Sequence, residues 1–185
     1  DNVVARINVR REIGAVLACL WRYRAMPASC RREIMQKCFA YMPLNTYPEA
    51  APDAAVLASA RFAASLGCGL HVSTFAVDIP PVASPLGGFL INIDGMAQAA
   101  EARSKAECDR LKALIEGTTK SRPETQVVNH RLVLGAALDA ATTEARYFDL
   151  ALLPWAADTL STQDMAQSLV FESGVPVILV PPTTT

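Results

Sequence analysis

Hydrophobic and polar residues alternate in blocks along this chain, most regularly in the last third. The sequences FDLALLP and VPVILV are two continuous apolar runs, and the polar segment WAADTLSTQD and the amphipathic segment MAQSLVFESG lie between them. A strand that is buried on both faces is apolar at every position, and a helix-length segment between two such runs is typical of parallel strands. The pattern therefore predicts two parallel strands joined by a helix that ends at Gly174.

The same unit can be followed back along the chain to Met35. Strands are predicted over 37–44, 69–77, 125–134, 148–154 and 175–180. Helices are predicted from Pro52 to Gly67, from Asp94 to Gly117, over 136–146, and from a capping box at Ser161 to Gly174. This alternation predicts an α/β fold, a Rossmann-like open parallel five-stranded sheet with helices on both faces and right-handed crossovers.

In such a sheet, ligands bind beyond the carboxyl ends of the strands, where the strand order reverses. The loops after Leu44, Val77 and Pro154 are therefore the places where a binding site is expected. The segment 78–94, which contains three prolines and the pair Gly87-Gly88, is predicted to be a surface loop.

The first 34 residues differ from the rest of the chain. They carry seven arginines against three acidic residues, and their one apolar run, 13–21, is short. We interpret 1–34 as a non-native leader or poorly ordered extension, with the native start at Met35 and the folded domain over 35–182.

Composition excludes several classes of protein. The chain is 51% hydrophobic and 19% charged, which indicates a globular protein, and no apolar run is long enough for a membrane span. Residues 35–185 have a net charge of −5, which disfavours nucleic-acid binding. The five cysteines show no metal-type spacing, and reduced cysteines in a cytoplasmic protein are the preferred interpretation.

Catalytic patterns are absent from the sequence. His71 and His130 have no histidine, cysteine or acidic residue at ligand spacing, so both are predicted to be structural and no metal site is expected. Ser73 and Ser168 lack the G-x-S-x-G context of a hydrolase nucleophile. We therefore expect a protein that is not an enzyme, although slow ATP hydrolysis stays open.

Four motifs in order resemble the universal stress protein family. They are the run from Met42-Pro43-Leu44 to Pro48-Glu49-Ala50, the strand Leu70-His71-Val72, the segment Phe148 to Leu153, and the closing segment Ser173 to Val180. The match covers 35–182. The resemblance implies the strand order 3-2-1-4-5, frequent dimerisation through the fifth strand and, in some members, ATP or AMP bound between strands 1 and 4.

Two departures from the family pattern weaken the nucleotide site. Asn45 stands where nucleotide-binding members carry an aspartate, and the segment after Pro154 has no glycine until Gly174. A phosphate cradle needs backbone N–H groups close to the anion, and a Cβ obstructs that approach. If nucleotide does bind, the resemblance places it at Asn45, Thr46, Val72, Leu153 and Pro154.

The resemblance is to the first half of tandem universal stress proteins, so 183–185 would be a linker to a second domain. The last strand, if it lies at the sheet edge, needs a partner, either a second copy or that second domain. The predicted interface residues are Val175, Val177, Ile178, Leu179 and Val180.

Two functions follow: a non-enzymatic stress-response domain that acts by association and has a degenerate nucleotide pocket without cofactor, or a stress regulator that binds ATP or AMP. In the second, Trp155 is a candidate to close the crevice, although packing against its own turn is preferred.

Overall fold

The computed structural model describes residues 38–80, 93–119, 124–156 and 159–182. The predicted leader 1–34, most of the predicted loop 78–94 and the linker 183–185 lie outside these ranges. No helix in the described ranges is long and apolar enough to cross a membrane.

Five parallel strands form one sheet in the order β3-β2-β1-β4-β5, which confirms the predicted class and strand order. The strands are β1 (Phe39–Asn45), β2 (Gly69–Asp78), β3 (Thr125–Val133), β4 (Leu150–Pro154) and β5 (Val177–Val180). Strand β1 is central, because β2 leads to one edge of the sheet and β4 to the other. The order therefore reverses between β1 and β4, where a crevice opens at the carboxyl ends of the strands.

Four helices connect the strands in the described ranges: α1 (Asp53–Leu66), α2 (Ile93–Thr119), α3 (Ala137–Ala145) and α4 (Leu160–Ser168), and a π-helical turn (Leu169–Ser173) continues α4. Gly67 and Gly174 follow α1 and the π-helical turn with φ of 73° and 74°, the left-handed conformation that glycine adopts without a steric cost. Both ends were predicted.

Three predicted helix ends were wrong. Helix α2 begins at Ile93, so Asp94, its predicted start, lies in the first turn, and the helix continues through Gly117 to Thr119, since an isolated glycine near a helix end costs only about 1 kcal/mol. The predicted capping box at Ser161 does not form: α4 begins at Leu160 with Thr159 in the N-cap position, and no side chain caps it. The Ser161 hydroxyl instead donates to the Glu49 carbonyl, 3.1 Å away.

Side-chain alternation along the strands divides the core into two layers. On one face of β1, Ala40, Met42 and Leu44 are buried. On the other face, Tyr41 packs with residues of α3 and α4, among them Ala141 and Met165. Because both faces are covered, β1 has the continuous apolar sequence that was predicted for a central parallel strand.

Strands β3 and β5 form the two edges of the sheet. The apolar sequence of β5 predicted burial on both faces, but Leu179 is 41% exposed, Val177 and Ile178 are half-buried, and only Val180 is buried. Its sequence is that of an interior strand and its position is that of an edge. Strand β5 therefore leaves apolar side chains exposed at the edge of the sheet.

Candidate functional site

The crevice between β1 and β4 is the expected ligand position in this topology. Asn45, Leu153 and Pro154 line it, as the sequence predicted. The remaining lining comes from Pro43 and Leu44 of β1, Glu49 and Ala51 of the following loop, and Ser161, Thr162 and Met165 of α4. Its volume is about 10 Å³, which is room for about one water molecule. Pockets that hold drug-sized ligands measure roughly 300–1,000 Å³.

Helix α4 is the reason that the crevice is narrow. Its first turn places Ser161 and Thr162 against the carboxyl ends of the strands, and both side chains are buried. The Ser161 hydroxyl joins α4 to the opposite wall through the Glu49 carbonyl. Met165 fills the space below and is 1% exposed. A glycine-rich loop at this point would leave space for an anion, whereas the crevice beside α4 has a volume of about 10 Å³.

Thr46 and Val72 are not among the residues that line the crevice. The Thr46 hydroxyl is buried under α2, where it donates to the Phe75 carbonyl at 2.7 Å and contacts the Ser104 hydroxyl at 2.7 Å. Val72 is fully buried in β2. Of the five residues predicted to hold nucleotide, the structure therefore brings together Asn45, Leu153 and Pro154.

Asn45 and Trp155 both have structural contacts. The Asn45 side-chain oxygen is 3.5 Å from the Tyr47 N–H, in the position of a turn-forming residue. The Trp155 side chain packs against the core on the α3 and α4 face, and its backbone N–H donates to the Val180 carbonyl at 2.8 Å. The preferred interpretation was packing against the turn 158–161. The recorded contacts of Trp155 are instead with the core, and 157–158 lie outside the described residues.

The edge strand β5 presents backbone and apolar side chains to solvent. On its inner side it pairs with β4 from Ala151↔Val177 to Pro154↔Val180, and no strand in the described ranges pairs with its outer side. Leu179 is exposed, and Val170 and Phe171, in the π-helical turn before β5, are 49% and 66% exposed. Val175 and Val177 pack partly against the core, so the predicted interface residues differ in accessibility.

A polar cluster that the sequence analysis missed lies between the sheet and α3. The Glu144 carboxylate accepts hydrogen bonds from the Tyr41 hydroxyl at 2.9 Å and the Ser73 hydroxyl at 2.8 Å. His71 Nε2 lies 3.1 Å from the other oxygen, Oε1, and His130 Nε2 lies 3.8 Å from Oε2, the oxygen that accepts from Tyr41 and Ser73. We call Tyr41, His71, Ser73, His130 and Glu144 the Glu144 cluster.

No acidic residue lies at ligand spacing from either histidine in the sequence, and both were predicted to be structural; the fold nevertheless brings Glu144 close to both of them. Strand register places Tyr41 beside His71, and α3 carries Glu144 over both. Glu144 is 73 residues from His71 and 103 residues from Tyr41 along the chain, so no local sequence pattern indicates that these side chains are in contact. A glutamate facing an otherwise alanine-rich, buried helix side was the available signal. Among the described residues, no group of three or more His, Cys, Asp or Glu is arranged to hold a metal ion.

Burial raises the pKa of the Tyr41 hydroxyl, and the neighbouring Glu144 charge raises it further. Tyr41 is therefore a neutral donor to the carboxylate at physiological pH. The ring of Tyr41 also stacks on that of Phe148 with centroids 5.1 Å apart. These contacts indicate that the cluster fastens α3 to the sheet.

Comparison with known proteins identifies the fold. No family model matches the chain, and no curated protein matches it. Among solved structures, the chain is similar to the universal stress protein UspA from Lactobacillus plantarum, with 13% identity and a TM-score of 0.50 over 77% of this chain and 97% of that one. It is also similar to the hypothetical protein MJ0577, with 11% identity and a TM-score of 0.50 over 78% of this chain and 97% of that one.

A third similar structure is a universal stress protein from Burkholderia pseudomallei, with 13% identity and a TM-score of 0.47 over 78% of this chain and 96% of that one. The match to the Lactobacillus plantarum protein, at a TM-score of 0.50, shows that the chain has the fold of the universal stress proteins, as its sequence motifs suggested. At these identities the likeness concerns the fold.

Proposed function

We propose that this chain is a non-enzymatic stress-response domain that acts by association through β5, with a degenerate nucleotide pocket. The observation that carries the proposal is the exposed apolar edge strand β5, with Leu179 41% exposed at its centre. An unpaired strand edge with apolar side chains tends to pair with another chain unless charge, proline or a covering segment blocks it.

The residues of β5 support pairing. The four residues Val177–Val180 contain no charge and no proline, so every backbone N–H group on the outer side can take part in a ladder. Val170 and Phe171 extend the apolar surface beside the strand. Pairing with a second copy, or with a second domain of similar fold, would cover these groups.

The narrow crevice supports the absence of a nucleotide cofactor. With a volume of about 10 Å³ it is far smaller than an adenine nucleotide, and Ser161 and Glu49 close it by a direct hydrogen bond. Nucleotide entry would need α4 to move away from β1, which would break that bond and expose Met165. For the alternative function, regulation by bound ATP or AMP, the free energy needed to open the crevice would therefore weaken nucleotide binding.

The association proposal is tested by light scattering on the eluting protein during size-exclusion chromatography. The wild-type chain is expected to be a dimer at micromolar concentration, and Leu179→Lys is expected to be a monomer because it places a charge on the pairing edge. Val133→Lys is the matched control, since Val133 is 54% exposed on the opposite edge strand. A monomeric wild type at high micromolar concentration would refute self-association, as would equal dissociation of both variants.

Calorimetric titration with ATP and AMP on the same samples separates the two functions. No binding at millimolar nucleotide is expected for the degenerate pocket, and no phosphate release is expected on incubation with ATP. Micromolar binding would instead favour the regulator, and Asn45→Ala would then be expected to weaken it.

The proposed site of action is the cytoplasm, without a membrane or nucleic-acid partner. The three cysteines in the described ranges, Cys38, Cys68 and Cys108, are free thiols, as is usual in a reducing compartment.

A further inference from the structure

Cys38 and Cys68 occupy neighbouring positions at the beginnings of two adjacent strands. Phe39 is paired with Gly69 in the parallel register, so the two cysteines face each other one residue earlier. The Gly69 N–H donates to the Cys38 carbonyl at 2.9 Å, which fixes this alignment. Adjacent strands lie about 4.8 Å apart. The Cα atoms therefore fall within the roughly 4.4–6.8 Å that a disulfide spans.

The two thiols also point to the same side of the sheet. Strand alternation places Cys38 on the side of Ala40, and Cys68 on the side of Leu70, and both of those residues are buried on the face of α1 and α2. The two thiols therefore lie next to each other on this face of the sheet. Both are reduced, Cys68 is buried at 6% exposure, and Cys38 is partly exposed.

We propose that Cys38 and Cys68 are a dithiol site that closes reversibly to a disulfide by exchange with a low-molecular-mass disulfide such as oxidised glutathione. This inference does not depend on the proposed association function. It rests on the strand register and on the common face of the two side chains.

The site is asymmetric, and the asymmetry assigns the order of steps. Burial raises the pKa of both thiols. Cys38 is partly exposed whereas Cys68 is buried, so Cys38 is the thiol that an incoming disulfide reaches first and is the attacking thiol.

The exchange balances in two steps. The Cys38 thiolate attacks one sulfur of oxidised glutathione, which forms a mixed disulfide and releases one glutathione thiolate. The Cys68 thiolate then attacks the Cys38 sulfur, which forms the Cys38–Cys68 bond and releases the second glutathione. The protein loses two electrons and two protons, and the oxidised glutathione is reduced to two thiols.

The position of the two cysteines on adjacent strands predicts that the disulfide is easily reduced and that it raises thermal stability. Sulfur atoms on neighbouring parallel strands require the two Cβ atoms to approach, so the bridge carries strain, and strained disulfides are the easily reduced ones. Closure fastens the start of β1 to the start of β2 and encloses α1 in a covalent loop. A closed loop restricts the unfolded chain, which raises thermal stability.

The test is peptide mapping of the full chain after incubation in glutathione buffers of increasing oxidised fraction. Trypsin cleaves after Lys37, Arg61 and Arg103, which releases peptides 38–61 and 62–103 with one cysteine each. We expect a disulfide-linked pair of these peptides that dithiothreitol separates, and a melting temperature about 5 °C or more higher in the oxidised protein.

Two variants make the result specific. Cys68→Ser is expected to stop at the mixed disulfide, with glutathione on peptide 38–61, and Cys108→Ser is expected to leave the linked pair unchanged. Thermal melts of both variants establish that they fold. Wild-type protein in which glutathione accumulates on Cys38 without the linked pair, or in which neither cysteine reacts in the folded state, would overturn the proposal.

Discussion

Replacing Glu144 with alanine removes the common acceptor of the Glu144 cluster. In the structure the carboxylate accepts from the Tyr41 hydroxyl at 2.9 Å and the Ser73 hydroxyl at 2.8 Å, and His71 Nε2 lies 3.1 Å away. Tyr41 and Ser73 are both fully buried, so water does not reach their hydroxyls. The substitution therefore leaves buried donors without their partner.

The size of the effect follows from those donors. Each buried polar group left unsatisfied costs about 1–3 kcal/mol. The Tyr41 and Ser73 hydroxyls can partly satisfy each other, and the Glu144 side chain is itself 26% exposed, which lowers the total. We expect Glu144→Ala to lower the free energy of unfolding by about 2–4 kcal/mol. Glu144→Gln, which keeps one acceptor oxygen, is expected to cost about half as much.

Urea denaturation followed by circular dichroism measures this difference by linear extrapolation. Glu116→Ala is the matched control, because Glu116 lies on an exposed helix face and makes one ion pair, to Lys112, at 3.9 Å. That control is expected to change stability by less than about 0.5 kcal/mol. A second control is the double variant Tyr41→Phe with Glu144→Ala, whose cost is expected to be less than the sum of the single costs, since both remove one contact.

The reasoning is refuted if Glu144→Ala unfolds within about 0.5 kcal/mol of the wild type. It is also refuted if the two single costs add, because residues that share a hydrogen bond show coupling. In either case α3 would be held to the sheet by apolar packing alone.

Three further predictions test other parts of the fold. The pKa of Tyr41 is raised in the folded state, so above about pH 10 the unfolded chain loses this proton before the folded chain does. The free energy of unfolding of the wild type should therefore fall with pH in that range more steeply than that of Tyr41→Phe. An equal dependence on pH for the two proteins, measured by urea denaturation at several pH values, would contradict this prediction. Gly174→Ala should lower the free energy of unfolding by about 1 kcal/mol because of the φ of 74° alone, since an added Cβ meets no atom within 4 Å. Gly117→Ala, within α2, should instead raise the free energy of unfolding. Urea denaturation that shifts both variants in the same direction would contradict this prediction. Thr46→Val should cost about 1–3 kcal/mol because it leaves the Phe75 carbonyl without its donor, and an unchanged midpoint would show that the bond contributes nothing.

Local sequence patterns were sufficient to predict most of the strands and helices. Continuous apolar runs marked the strands because parallel strands are covered on both faces, and Gly67 and Gly174 marked helix ends because they adopt positive φ. These features depend on neighbours in sequence. The end of α2 and the start of α4 were misplaced for the same reason: the residues there have weak preferences, and contacts such as that of Ser161 with Glu49 decide between them.

The candidate crevice was predictable in position and not in shape. Asn45, Leu153 and Pro154 follow from the strand order and the resemblance to universal stress proteins, and they do line the crevice. Its small volume depends on where α4 packs, which no local pattern contains. Thr46 faces α2 because the chain turns after Asn45, and sequence spacing does not report that turn.

By itself the sequence determined the alternation of strands and helices, the order in which they occur and the loops where a ligand would bind, because these depend on periodicity and on backbone preferences of single residues. Only the tertiary structure decided which distant side chains meet. The contact of Glu144 with Tyr41, the pairing of Cys38 with Cys68 and the exposure of Leu179 are set by sheet register and strand order. Register joins residues that are far apart in the chain, and the energy that fixes it is the burial of the whole sheet.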